Sequence, residues 1–282
     1  MIIANIYGGL GNQLFQYAAG RALAHYHNVP LKLDTSFYAN QKHRDFALSS
    51  FNAECVIASP EEITQVRKNG FLSKAYEKLL PTYKRSLLME PHYHYYEKFF
   101  EGRPHSYISG LWQSEKYFSS IKEVIRQEFA LKTEIISTLK ERAEAMRNEM
   151  SVSVHIRRGD YLLTKAISAL PKDYYERALS FVLQKSGGAK VYIFSDGIDW
   201  VKENLVLNSP HEFISGFLTK NSYEDFYLMQ QCSHNIIANS TFSWWSAWLN
   251  KNDDKIVVAP KTWFNRADSN TNDLILDHWY RV

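Results

Sequence analysis

The chain has 282 residues, 45% hydrophobic and 22% charged, with a net charge of +3. That is enough for one large or two ordinary domains and too weakly basic to argue for nucleic acid as a partner. Two cysteines, Cys55 and Cys232, exclude a disulfide framework and suit a reducing compartment.

In chain order, "IIANIY" (2–7) predicts a buried strand and "GGLGNQ" a glycine loop. "LFQYAAGRALAHYH" (14–27) predicts a helix with Leu14, Ala18, Leu23 and Tyr26 on one face. "PLKLD" (30–34) predicts the next strand, completing a β–loop–α–β opening. The start, "MIIANIYGGLGNQ", lacks a basic n-region, so no signal peptide is expected, and no 18-residue apolar run suggests a membrane span. Residues 40–105 are less regular, with a helix expected at 60–69 and an aromatic run, "HYHYYEKFF". "SYISGLWQSEKYF" (106–118) predicts a strand and a helix start, and 121–149 predicts charged amphipathic helices ending in a boundary near 150.

From 151 the alternation is clean. Strands are predicted at 152–157, 190–195, 235–238 and 255–259, with a shorter one in "HEFIS". Between them lie helices at 172–186, stopped by Gly187-Gly188, in "SDGIDWVKENL", at 222–232 with Ser222 as cap, and in "NSTFSWWSAWLN". Such alternation predicts a parallel, doubly wound sheet. The expected architecture is two α/β halves with a cleft between them, 1–150 and 151–282.

Three polar clusters follow predicted strands: Arg157-Arg158-Gly159-Asp160, Ser195-Asp196 and Asn239-Ser240-Thr241. Ligands of open α/β sheets bind outside the carboxyl ends of strands, so the three are expected to line one crevice. Adjacent arginines there suit a pyrophosphate, which guanidinium pairs with bidentately. Ser240 and Thr241 open a helix whose amides offer a second phosphate contact, and Asp196 suits a base edge or a ribose hydroxyl. The plainer alternative pairs Arg157 with Asp160 or another acid and makes Ser240 an N-cap only. "GGLGNQ" lacks the full G-x-G-x-x-G pattern and a following Lys-Ser/Thr, so it is either a tight turn or a loop in which Asn12 and Gln13 face a ligand. His92, His94 and Glu97 have metal-ligand spacing on a strand, but no second cluster completes a set, and no metal is expected. Trp244 and Trp248, four apart, belong to the core, with Trp245 elsewhere. The tripeptide at 158–160 is not read as an adhesion signal, given no disulfides and no secretion signal.

Taken together, "GGLGNQLFQYA", "GLWQSEKYF" (110–118), "VHIRRGDY" (154–161), "YIFSDGIDW" (192–200) and "IIANSTFSWWSAWL" (236–249) resemble the α-1,2-fucosyltransferase family, in its short bacterial form, nearly end to end. The resemblance implies a GT-B fold of two Rossmann-type domains. It also implies GDP-β-L-fucose as donor, no cofactor or metal, and inverting transfer to the 2-hydroxyl of a terminal galactose. The C-terminal half would bind GDP, with Arg157 on the β-phosphate, His155 near the nucleotide, and Arg158 assisting or holding position. Ser195 and Asp196 would face guanine or ribose, and Asn239, Ser240, Thr241 and Ser243 the phosphate side. Asn12 and Gln13, with Trp112 and Gln113, would complete the fucose and acceptor side. Asp160 and His155 are local candidates for a base and Glu115 a distant one, with Asp160 otherwise orienting the arginines. The expected partners are GDP-fucose and a β-galactoside in the cytoplasm, with peripheral membrane contact where the acceptor is lipid-linked. Two competing classes are a transferase of the same fold using another nucleotide-sugar and a non-catalytic glycan-binding protein.

Overall fold

The computed structural model describes residues 1–41, 44–67, 71–162, 167–265 and 270–282. The chain forms two units, Met1–Ala130 with Asn270–Leu274, and Leu131–Ser269 with Ile275–Val282. Each is built on a parallel sheet, the α/β GT-B class.

The first unit contains β1 (Ile2–Asn5), α1 (Leu10–Tyr26), β2 (Leu31–Asp34), α2 (Pro60–Arg67), α3 (Phe71–Leu79), β3 (Leu87–Met89), β4 (Ser106–Ser109) and α4 (Lys122–Glu128). Its strands run parallel in the order β2-β1-β4-β3. Helix α1 begins inside the glycine stretch, because the Gly9 carbonyl accepts from the amides of both Asn12 and Gln13. Leu14, Ala18 and Leu23 are fully buried, whereas Tyr26, expected on their face, is 64% exposed at the helix end. Both α3 and the three-residue β3 went unseen in the sequence, and residues 68–69 of the helix expected at 60–69 lie outside the described residues. The His92–His94 stretch is not a strand; the two rings stack at 3.5 Å.

The second unit contains α5 (Thr133–Ser137), α6 (Lys140–Asn148), β5 (Ser151–Ile156), α7 (Lys172–Ser186), β6 (Lys190–Ser195), α8 (Ile198–Asn204) and β7 (His211–Phe213). It continues with α9 (Ser222–Met229), β8 (His234–Ile236), α10 (Thr241–Leu249), β9 (Val257–Ala259) and β10 (Tyr280–Arg281). The six strands are parallel in the order β10-β9-β8-β5-β6-β7. Alternate residues of β5 and β6 separate onto two faces, as a period of two requires. Val152, Val154, Ile156, Val191 and Ile193 pack with Tyr174, Ala178 and Val182 of α7. Tyr192 and Phe194 pack on the opposite face with Ala143 and Met146 of α6 and with Leu228 and Met229 of α9. That packing draws the 131–149 segment into the second unit.

Two local expectations are corrected. The cap of α9 is Asn221, not Ser222, in a capping box with Glu224. Trp245 is as buried as Trp244, because α10 is enclosed on every side. Among the described residues no helix is long and apolar enough to cross a membrane.

Candidate active site

In the second unit the chain lays down β5, then β6 and β7 to one side and β8 to β10 to the other. The strand order therefore reverses between β5 and β8, and the carboxyl edge of such a reversal is where open α/β sheets bind ligands. The three polar clusters follow β6, β5 and β8, three adjacent strands, so the fold gathers them at that edge.

Arg157, just past β5, is held on two sides. Its Nε and Nη2 donate to Asp160 Oδ1 at 3.2 and 2.8 Å, and its Nη1 lies 2.9 Å from Asp196 Oδ2. This pairing of Arg157 with Asp160 and a second acid is the plainer alternative that the sequence offered. Asp196 Oδ1 accepts from the Arg158 amide at 2.7 Å, locking the loops after β5 and β6 together. A Cβ on Gly159 would stand 2.5 Å from Asp196 Oδ2, so only glycine admits this approach. The Arg158 guanidinium stacks on Trp200 at 3.8 Å, which places its charge over the start of α8 rather than alongside Arg157.

Ser195 Oγ accepts from the Gly197 amide, and the Ser195 amide donates to Ser215 Oγ. Ser215 in turn donates to Asp225, a carboxyl whose pKa burial raises. His155, on β5, is 6% exposed and packs against Phe242. Burial, with Arg157 adding to it, pushes its pKa down to about 3, so the ring is neutral and a weak base. Its Nδ1 is buried with no partner among the described residues.

On the β8 side, Asn239 donates to the carbonyls of Ser168 and Trp263, while its Oδ1 has no partner among the described residues. Ser240 is the N-cap of α10, but its hydroxyl makes no capping bond to the first turn. Thr241 is partly buried at the first helical position. Ser243, expected near the phosphates, is fully buried and donates to the Ser240 carbonyl, so it serves the helix start. Tyr161, unremarked in the sequence, donates to the Asn239 carbonyl, and its ring centroid lies 5.7 Å from the Arg157 guanidinium carbon. It ties the β5 and β8 loops; its only sequence signal is its place beside the Arg-Arg-Gly-Asp run.

The acceptor-side residues lie in the first unit. Gln13 is corrected from ligand contact to brace: it is fully buried, donates to the Gly8 and Asp45 carbonyls, and accepts from the Ala47 amide. Trp112 is likewise corrected, being 1% exposed between Phe99 and Tyr117. Asn12 Oδ1 accepts from Gln113 Nε2 at 3.0 Å, joining the loops after β1 and β4. Glu115 opens a short 3-10 turn at partial exposure, capped by Ser114. Among the described residues no three His, Cys, Asp or Glu side chains form a group able to hold a metal. Burial pushes the Cys232 thiol up to about 12, which makes it inert.

Two parallel-sheet units, with a guanidinium and a helix N-terminus collected at a strand-order reversal, make the architecture of a GT-B glycosyltransferase. The description "Glycosyl transferase family 11" matches residues 1–282, and the chain belongs to that family. It is 33% identical to an alpha-1,2-colitosyltransferase of Escherichia coli, over 100% of this chain and 99% of that one. It is 31% identical to the O-antigen biosynthesis glycosyltransferase WbnK of the same species, over 98% of both. A galactoside alpha-(1,2)-fucosyltransferase 1 of Saimiri boliviensis boliviensis is 26% identical over 86% of this chain and 63% of its own length. Among solved structures, NodZ alpha-1,6-fucosyltransferase soaked with GDP-fucose superposes with a TM-score of 0.52 at 15% identity, covering 88% of this chain and 91% of that one.

Proposed function

We propose that the protein transfers L-fucose from GDP-β-L-fucose, with inversion, to the 2-hydroxyl of a terminal galactose. The observation that carries this is Arg157, fixed by two carboxylates at the strand-order reversal beside the uncapped N-terminus of α10. A guanidinium held in place on Nε, Nη1 and Nη2 has one N–H left on each terminal nitrogen for phosphate oxygens. As the C1–O bond of the donor breaks, charge grows on the leaving pyrophosphate. Arg157 and the first-turn amides of α10 stabilise it without reorganising. Ser195 and Asp196 meet the nucleoside. The names of the relatives supply the sugar and the linkage, and Arg157 alone accepts any nucleotide-sugar.

The relative at 33% identity favours a second reading, in which colitose is the transferred sugar. The test is GDP release from GDP-fucose with lactose and N-acetyllactosamine, the linkage of the product being read by NMR, beside the same assay with GDP-colitose. Fucosyl transfer to the galactose 2-hydroxyl is expected, undiminished in excess EDTA because Arg157 supplies the positive charge. Turnover of the colitosyl donor alone selects the second reading, and glycan binding without GDP release sinks both.

A further inference from the structure

The first unit's sheet also reverses its strand order, between β1 and β4. The loop that leaves β4 at this reversal meets Glu90. This residue directly follows β3, and its Oε2 and Oε1 accept from the backbone amides of Leu111 and Trp112 at 2.6 and 2.9 Å. Two features show how tightly the carboxylate is held. A Cβ on Gly110 would stand 2.3 Å from the Glu90 Cβ and 2.8 Å from its Oε2, so only glycine allows the approach. Trp112 adopts φ of 53°, which a bulky residue takes up only where its surroundings force it.

Three other acids of this unit have cations, while buried Asp34 accepts instead from the Tyr107 hydroxyl and the Ser36 amide. Glu77 pairs with Arg103, Glu128 with Arg21 and Glu62 with Lys32. Glu90 makes no ion pair among the described residues, yet it remains partly exposed. Around it the edge is lined for hydroxyl groups. Asn5 donates to Ser109 Oγ across the reversal. Gln113, 5% exposed, has an Oε1 with no partner among the described residues, on the loop whose amides hold Glu90.

We propose that this edge is the acceptor-sugar subsite and that Glu90 is its catalytic base, an inference that rests on the transferase reading above. The acceptor hydroxyl gives its proton to a Glu90 oxygen as its own oxygen forms the bond to C1 of the donor sugar. The C1–O bond to phosphate breaks, and its electron pair leaves with the nucleoside diphosphate. Burial raises the Glu90 pKa to about 7 against the lowering effect of its two amide bonds, which suits proton abstraction near neutrality. The titratable groups facing it are Tyr7, beyond β1, and Tyr117, in the turn after Ser114. Burial raises both phenols, so each stays neutral while Glu90 titrates.

The decisive experiment is Glu90→Gln, measured as a full pH profile with GDP-fucose binding followed by calorimetry. The expected result is a loss of kcat of about 10²- to 10⁴-fold and the absence of the acid limb that the wild type is expected to show near pH 7, with donor affinity retained. Glu90→Gly is the second variant, and formate is expected to restore part of its turnover, which a merely structural role does not allow. Should neither variant fold, the wild-type profile decides: kcat flat between pH 5.5 and 8.5 overturns the assignment. Transfer by Glu90→Gln within tenfold of wild type also overturns it, and leaves the transferase reading standing. A wild-type protein that turns over no GDP-fucose with any galactoside overturns that reading, and the base with it.

Discussion

Both sheets reverse their strand order, yet the chemistry collected at the two carboxyl edges is opposite in sign. At the second unit's edge stands Arg157, oriented by Asp160 and Asp196 beside a helix N-terminus. The first unit's edge holds Glu90, gripped by two amides and paired with no cation among the described residues. Under the proposed function, one edge takes an anionic donor and the other a neutral hydroxyl acceptor. The topology offers the place twice, and the residues at each strand end decide what it takes.

The largest break in this comparison comes from removing the cation. Arg157→Ala is expected to lower kcat/KM about 100- to 1,000-fold, the usual cost of one such electrostatic contact. Arg157→Lys should also be poor, since a point charge cannot replace the fork. Both variants should melt near the wild-type temperature, because Asp160 and Asp196 are 42% and 28% exposed and water can solvate them. Near wild-type turnover in Arg157→Ala contradicts the phosphate assignment.

A smaller effect is expected from Gly159→Ala. The new Cβ pushes Asp196 aside and loosens Arg157 without removing it. Donor KM should rise about tenfold, within the range for a displacement of this size, with the acceptor KM unchanged. An equal rise in both would show that the two edges do not divide the substrates. The smallest effect comes from Asn221→Ala, which removes the cap of α9 without touching Arg157 or its two carboxylates, and should cost about 1 kcal/mol in denaturant unfolding with a change in turnover smaller than that of Gly159→Ala.

Much of the second unit was legible because its helices and strands are regular. The α7 helix ends at Ser186 because Gly187 adopts the left-handed conformation, a stop written in the sequence. Arg157 stood out because adjacent like charges at a strand end are unusual, yet its pairing with Asp160 and Asp196 is the plainer alternative that the sequence offered. The direction of a side chain was not legible. Gln13, Ser243 and Trp112 have the right types for a ligand site, but they turn inward to brace a loop, a helix start and an aromatic cluster. Glu90 left no mark at all, being a single acid between Met89 and Pro91. The amides that hold it come from 21 and 22 residues away, and its strand is three residues long. Only tertiary structure brings those groups together.

The central claim is that the nucleotide belongs to the second unit's edge, and amide hydrogen exchange with GDP alone tests it most directly. Protection is expected to concentrate at 155–161, 194–197 and 239–244, with a weaker effect at 8–13 and little at 110–113. Protection centred on 8–13 and 110–113, with Arg157 and Ser240 spared, would contradict the assignment and move the phosphate site to the glycine loop of the first unit.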